Sequence, residues 1–509
     1  MLLVNSGLVS FWTFVSRILG LVRDIVITGL LGTGLFLDVF VVMMKIPSVF
    51  RRLFAEGAFN QAFIPVLSEY KESGNDAEVS DLINSVFGIL SSVLLIVTVL
   101  ALIAAPIFVL IFAPGFYFEP LKKELAIDIL QITFPYLFFV SLVALSGSIL
   151  NTYERFSLPA LTPLFYNLVL ILFGIWIAPY QEIPVYALAW GVFVAGCVQV
   201  FIQIWPLARM KLLPKFKLNF NHSGARRVMY LMVPGIIAGG VSQINMLVDT
   251  ILASLLPTGS PSWLYVSDRL MQLPLGIFAI AIGTVILPKL SLLHSKGSKD
   301  NFSKTIDWGI RLVLLAGIPA VIGLIILAEP IVLTLFERGE FSSVDTSKTS
   351  YSLVALTLGL LGFMLIKVLV PAFFAQQKPQ VPVKVALLSM ILNALLAWFF
   401  AFYLGYNHVG LAAASSVAAF FSVVCLISIL KKDKVYKANS GWLYFILRII
   451  FASISLFLLL SFFNVEISFW RDLGTIERIA RLSFLCFGGI VIYLGALWLL
   501  GLRFKQLRN

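Results

Sequence analysis

One apolar stretch, from Ser16 to Glu69, reads SRILGLVRDIVITGLLGTGLFLDVFVVMMKIPSVFRRLFAEGAFNQAFIPVLSE and contains Arg17, Arg23, Asp24, Asp38, Lys45, Arg51, Arg52 and Glu56. An arginine at the centre of a bilayer helix costs about 2.5–3.5 kcal/mol on insertion scales, so four would cost roughly 10 kcal/mol before pairing or hydration. That rivals the whole stability of a domain, about 5–15 kcal/mol, so these side chains must face water, each other or an anionic ligand. A planar guanidinium donates two parallel hydrogen bonds to phosphate or pyrophosphate oxygens, which suits such a group far better than a neutral sugar.

Helical periodicity decides which charges can meet. At 100° per residue Arg17 and Asp24 share a face, and Asp38, Lys45, Arg52 and Glu56 form a second stripe, approximate beyond the kink expected at Pro47. Arg52 and Glu56 are also an i, i+4 pair. Arg17, Arg23 and Arg51 have no equally obvious local partner and are left for a ligand; the competing reading is a buried ion pair with Asp24 or Asp38. Arg51 and Arg52, past Pro47, would also serve as interfacial anchors. In the second half Asp268 and Arg269 are adjacent, so each is expected to serve a different partner, Arg269 either in an anion site or in an outer gate. Asp24, Lys45 and Asp268 are assigned to ion pairing or gating. Asn245, Asp249 and Asn393 are candidate cation ligands, a sparse set because Ala397, one turn beyond Asn393, offers no oxygen.

The elements that carry these residues follow from composition. With 60% hydrophobic and 12% charged residues over 509, and a mean hydropathy of +1.00, the chain is an all-α polytopic membrane protein. Hydropathy places about fourteen helices near 5–30, 34–66, 84–112, 125–150, 160–178, 184–206, 224–256, 262–292, 307–327, 348–373, 382–403, 408–430, 442–463 and 479–502. The first lacks a basic leader and a cleavage site and reads as a membrane helix, not a removable signal. Lys and Arg divide twenty-one to seven between the two sets of loops, the tail residues Arg503, Lys505 and Arg508 among the larger group, which places both termini in the cytoplasm. Much of the net charge of +12 therefore belongs to topology. The basic connection RMKLLPKFKLNFNHSGARR is expected to follow anionic lipid headgroups and not nucleic acid.

Other chemistry has little support. Cys197, Cys425 and Cys486 stand apart in apolar segments, without disulfide or metal spacing. His222, His294 and His408 form no nucleophile, base and acid grouping, and no phosphate-binding glycine loop is present, so an enzyme is not expected.

The chain also repeats itself. APIFVLIFAPGF at 105–116 echoes EPIVLTLFERGEF at 329–341, with Pro106, Phe112 and Gly115 displaced by 224 to Pro330, Phe336 and Gly339. Pro65-Val66-Leu67-Ser68 returns as Pro288-Lys289-Leu290-Ser291, and Pro159 as Pro382, at an offset of 223. A repeat of six helices is even, so both copies enter the membrane from the same side, as in transporters whose halves rock about a central site. The lobes are expected at 1–207 and 222–430, with two further helices in 440–503.

The runs SRILGLVRD, RRLFAEGAFNQAFIPVLSEY and SDRLMQLPLGIFAIAIGTVILPKLS resemble the MurJ (MviN) family of lipid II flippases, and the similarity extends over essentially the whole chain. The resemblance implies the multidrug/oligosaccharidyl-lipid/polysaccharide exporter fold, two six-helix lobes in a V plus two helices whose groove holds a lipid tail. It implies transport of undecaprenyl-pyrophosphate-linked disaccharide-pentapeptide from the inner to the outer leaflet of the bacterial cytoplasmic membrane. Matched motif by motif, Ser16, Arg17, Arg23, Asp38, Arg51, Arg52, Glu56 and Arg269 correspond to cavity residues. Ser48 stands where the family often has asparagine. No cofactor is expected; Na+, H+ or the membrane potential are the candidate driving forces. The expected partners are lipid II, membrane lipids and cell-wall synthesis proteins around a monomer. The rival readings are a small-molecule or cation exporter of the same fold, which calls for an acidic cavity, and a polytopic enzyme acting on the same lipid.

Overall fold

The computed structural model describes residues 2–53, 58–464 and 466–502. Glu56 and the basic tail residues Arg503, Lys505 and Arg508 lie outside them.

Helices follow one another almost without interruption, and no strand occurs among the described residues. The first ten are α1 (Leu2–Leu31), α2 (Leu35–Arg51), α3 (Ala58–Glu72), α4 (Asp76–Ile103), α5 (Ala105–Phe112), α6 (Pro114–Tyr117), α7 (Pro120–Thr133), α8 (Tyr136–Thr152), α9 (Ser157–Leu172) and α10 (Pro184–Arg209). The next nine are α11 (Ser223–Ser254), α12 (Ser260–Pro274), α13 (Ile280–Ser295), α14 (Lys299–Ile326), α15 (Ala328–Phe336), α16 (Ser343–Leu358), α17 (Leu360–Ala375), α18 (Gln380–Trp398) and α19 (Asn407–Lys432). The last three are α20 (Trp442–Phe463), α21 (Ile467–Asp472) and α22 (Thr475–Leu499).

The internal repeat is written into these boundaries. Asp76 and Lys299, Ile103 and Ile326, Pro120 and Ser343, Ser157 and Gln380, Pro184 and Asn407, and Arg209 and Lys432 each begin or end matching helices, and every pair differs by 223. α9 and α18 both loosen into one π-helical turn, at Phe173–Ile177 and Phe399–Tyr403. A third π turn, Leu275–Ala279, follows Pro274, where the sequence places a kink.

Among the described residues ten stretches are long and apolar enough to cross a membrane. The expected first, second, seventh and eighth spans, which carry most of the candidate residues, correspond among the described residues to α1, to α2 and α3, to α11, and to α12 and α13. Hydropathy also ran two elements together. The third expected span, 84–112, ends at Ile103, where α5 restarts the helix with Pro106 in its first turn, a position that tolerates a residue without an N–H. Pro330 opens α15 at the corresponding place after α14.

Compactness divides the chain into Met1–Ser262 and Trp263–Asn509. Within the first unit α1 packs on α9, and α11 packs on α3, although the repeat counts α11 as the start of its second copy. Within the second, α20 packs on α14 and α22 around Phe445, Ile449, Leu456, Leu485 and Tyr493.

Candidate functional site

The charged residues of α1 sit in two different settings. Arg23 reaches its neighbour Asp24, with Nε 3.0 Å and Nη2 2.6 Å from Oδ1, and its Nη1 donates to Asn167 Oδ1 at 3.0 Å. Its guanidinium also lies 5.6 Å from the centre of the Tyr166 ring. The Asp24 side chain is 1% exposed and that of Arg23 16%, so the pair is largely withdrawn from water. The expectation that Arg23 lacks a local partner is therefore corrected. Cβ directions on adjacent helical positions diverge, but an arginine arm is long enough to fold back along the helix surface and close that gap.

Asn167 completes a bridge between two helices. It takes the Arg23 hydrogen bond on Oδ1, and its Nδ2 donates to the Ser16 carbonyl at 3.0 Å and the Ser16 hydroxyl at 3.5 Å. Tyr166 and Asn167 were not singled out from sequence, although a buried asparagine inside the apolar α9 is itself a signal of a polar partner nearby.

Arg17 differs from Arg23. It is exposed, and no hydrogen bond or ion pair joins its guanidinium to another described residue. It lines a cleft of about 480 Å³ with Val9, Thr13 and Ser16 of α1, Asn151 of α8, and Phe156, Pro159, Ala160 and Pro163 around the start of α9. A lone cation with serine, threonine and asparagine on an otherwise apolar wall can hold a phosphate group and lay a hydrocarbon chain alongside it.

In α2, Asp38 is fully buried and bound to the beginning of α12. Its Oδ2 accepts from the Gly259 N–H at 2.6 Å, and its Oδ1 accepts from the Ser262 N–H at 3.0 Å and the Ser262 hydroxyl at 2.5 Å. Lys45 and Arg51 are half-buried and each engages a partner. Arg52 is exposed, with Nη1 3.9 Å from the Met246 sulfur of α11. Glu56, its expected i, i+4 partner, lies outside the described residues.

The remaining candidates are distributed over both units. Asn245 and Asp249 are half-buried in α11, and Asn393 is buried in α18. No group of three or more His, Cys, Asp or Glu able to hold a metal occurs among the described residues. Asp268 accepts a hydrogen bond from Gln272 Nε2 at 2.5 Å, and both Asp268 and Arg269 are half-buried in α12.

The profile of the family described as lipid II flippase MurJ matches residues 27–472. The chain belongs to the MurJ lipid II flippase family. A probable lipid II flippase MurJ of Vibrio cholerae serotype O1 is 42% identical over 99% of this chain and 98% of its own length. A second, of Haemophilus influenzae, is 40% identical over 96% of this chain and 98% of its own length. Among solved structures, a lipid II flippase MurJ in an inward closed conformation is similar with a TM-score of 0.79 at 30% identity, covering 96% of this chain and 97% of that one. An inward-facing multidrug resistance MATE family transporter of the MOP superfamily shares the fold at a TM-score of 0.69 and 14% identity, covering 82% of this chain. The chain is thus a multi-pass membrane protein of a transporter family.

Proposed function

We propose that this chain moves lipid II from the inner to the outer leaflet of the bacterial cytoplasmic membrane by alternating access, and so supplies cell-wall synthesis. The observation that carries this reading is Arg17, a guanidinium with no hydrogen-bond or ion-pair partner among the described residues, beside an apolar cleft in a chain that matches lipid II flippases over nearly its whole length. A pyrophosphate carries the charge that such a group needs, and a polyprenyl tail suits the wall next to it.

Arg17 is the first contact for the diphosphate. Arg23, tied to Asp24 and Asn167, shapes the floor from which Arg17 projects, while Arg51 and Arg52 supply further cations for the headgroup. Asp38 serves the site indirectly, by fixing where α12 begins. Neutralising the bound diphosphate lowers the cost of excluding water and favours the closing step. No cofactor takes part; Na+, H+ or the membrane potential drives the cycle. Both termini lie in the cytoplasm, as the basic loops require.

Reconstitution tests the proposal. Purified protein in vesicles should expose inner-leaflet lipid II to an external headgroup reagent, and Arg17→Ala should remove most of that signal and fail to sustain growth of a flippase-depleted strain while accumulating normally. Full growth on the Arg17→Ala variant, or transport of a neutral glycolipid at the same rate as lipid II, would defeat it. Glycan polymer formed from lipid II by the purified protein would instead mark an enzyme.

A further inference from the structure

Between α10 and α11 the chain runs through residues 210–222 as a strap without regular structure from 212 to 219. It is pinned along one side. The Lys215 N–H donates to Asn84 Oδ1 of α4 at 2.6 Å, and the Lys217 ammonium pairs with Asp81 one turn earlier. Gly88, one turn later, lets the strap's backbone lie directly on α4, because a Cβ there would overlap the Lys217 carbonyl. At the far end Arg227 pairs with Glu69 of α3 at 2.5 Å.

The opposite side is exposed among the described residues. With Lys217 turned to α4, its neighbours turn the other way: Phe216 is 64% exposed, Leu218 53% and Phe220 60%. No acidic residue occurs between Glu182 and Asp249. Of the basic residues in the segment, Lys217 and Arg227 are spent on carboxylates, whereas Lys211, Lys215 and Arg226 are exposed and make no ion pair among the described residues. Interfacial aromatic residues bracket the strap: Trp205 near the end of α10, with the Arg209 guanidinium 3.7 Å from its ring centre, and Tyr230 in the second turn of α11, 77% exposed.

The second copy of the repeat provides a control. Its strap, residues 433–441, is pinned at the repeat-related place: Asp307, which is Asn84 shifted by 223, accepts from the Asn439 N–H at 3.4 Å and the Tyr436 hydroxyl at 2.9 Å. There the aromatic side chain is tucked in, and Tyr436 is buried. The same kind of pin thus holds two straps, and only the first offers its apolar side chains outward.

We propose that the 210–222 strap is a docking surface for the cytoplasmic leaflet, with Phe216, Leu218 and Phe220 seated at the boundary between headgroups and acyl chains and Lys211, Lys215 and Arg226 on anionic lipid phosphates. Charge complementarity and the flanking aromatic residues select a lipid surface over a protein as the occupant. The inference rests on the membrane topology and not on the substrate proposed above.

Spin labels placed singly at 216, 217, 218, 219 and 220 of the full chain, with Cys197, Cys425 and Cys486 replaced by alanine, test it in vesicles containing phosphatidylglycerol. Collisions with oxygen should dominate at 216, 218 and 220, and collisions with a water-soluble nickel chelate at 217 and 219. Replacing phosphatidylglycerol with phosphatidylcholine should weaken the oxygen preference at the even positions. Even positions open to the nickel chelate in both lipids would overturn the proposal, and even positions shielded from both reagents would mean a protein covers the strap and would overturn it equally. Alternation unchanged in phosphatidylcholine would overturn the anionic-lipid assignment. Unchanged elution and thermal midpoint of each labelled protein show that the fold is retained.

Discussion

Ser262 gives Asp38 two hydrogen bonds, from its N–H at 3.0 Å and from its hydroxyl at 2.5 Å, across 224 residues of sequence. With the Gly259 N–H at 2.6 Å, the carboxylate closes the N-terminus of α12, where backbone donors have no partner within the helix and the helix dipole favours negative charge. Asp38→Ala removes that cap and leaves buried donors unpaired, at a cost of about 2–4 kcal/mol. The thermal midpoint of the purified protein should fall by several degrees, with Asp38→Asn, which keeps one acceptor, between the two. An Asp38→Ala protein that unfolds with wild type would show that the bonds hold nothing together.

Arg17 and Arg23 predict opposite phenotypes. Arg23→Ala withdraws the guanidinium from Asp24, which is 1% exposed, and stability should fall by about 3 kcal/mol, since a buried carboxylate loses its counter-charge. Adding Asp24→Asn should restore much of it. Arg17→Ala removes no hydrogen bond or ion pair among the described residues, so its thermal midpoint should stay within a degree of wild type while lipid II transport is lost. Equal destabilisation by the two substitutions would remove the distinction between a tethered and a ligand-seeking arginine.

That distinction was only half legible in the sequence. Periodicity put charge inside apolar helices correctly, and three short echoes fixed a repeat whose offset of 223 recurs at six pairs of helix ends. Face-by-face reading failed for Arg23, because a flexible arm reaches where its Cβ does not point. Asp38 read as part of a charged stripe, and its role as a cap depends on where residues 259–262 arrive, which no local pattern encodes. Asn167 went unnoticed for a similar reason: its partners, Ser16 and Arg23, lie on another helix.

Tyr436 should resist alkali. Burial pushes its phenol well above the usual tyrosine range, the Asp307 carboxylate adds to the shift by its charge and by accepting the hydroxyl proton, and Arg311 opposes it. The folded protein holds this proton more tightly than the unfolded chain, whose tyrosines ionise near pH 10. The contribution is therefore fully present below about pH 10 and is lost as pH rises beyond it. Ultraviolet titration should show one tyrosine fewer ionising before alkaline unfolding in wild type than in Asp307→Ala, and the variant should lose less stability between neutral and alkaline pH. Identical titration curves would contradict the arrangement around Asp307.

Gly115 and Gly339 occupy matching places in the repeat, yet the structure needs glycine at each for a different reason. At Gly115 a Cβ would collide with the Ser254 carbonyl, backbone that closes the end of α11, while the Gly115 N–H donates to the Ser254 hydroxyl at 3.3 Å. Rigid backbone cannot swing aside as a side chain can, so Gly115→Ala should cost about 1–3 kcal/mol through displacement of α11. Gly339 sits at φ 58°, in the left-handed region, where a side chain costs about 1–2 kcal/mol through its own backbone conformation. Distance measurements between spin labels on α6 and the end of α11 should lengthen in Gly115→Ala, whereas labels on α15 and α16 should hold their spacing in Gly339→Ala, with only the thermal midpoint reduced. A Gly115→Ala protein with unaltered spacing and midpoint would mean that the two segments do not meet as described.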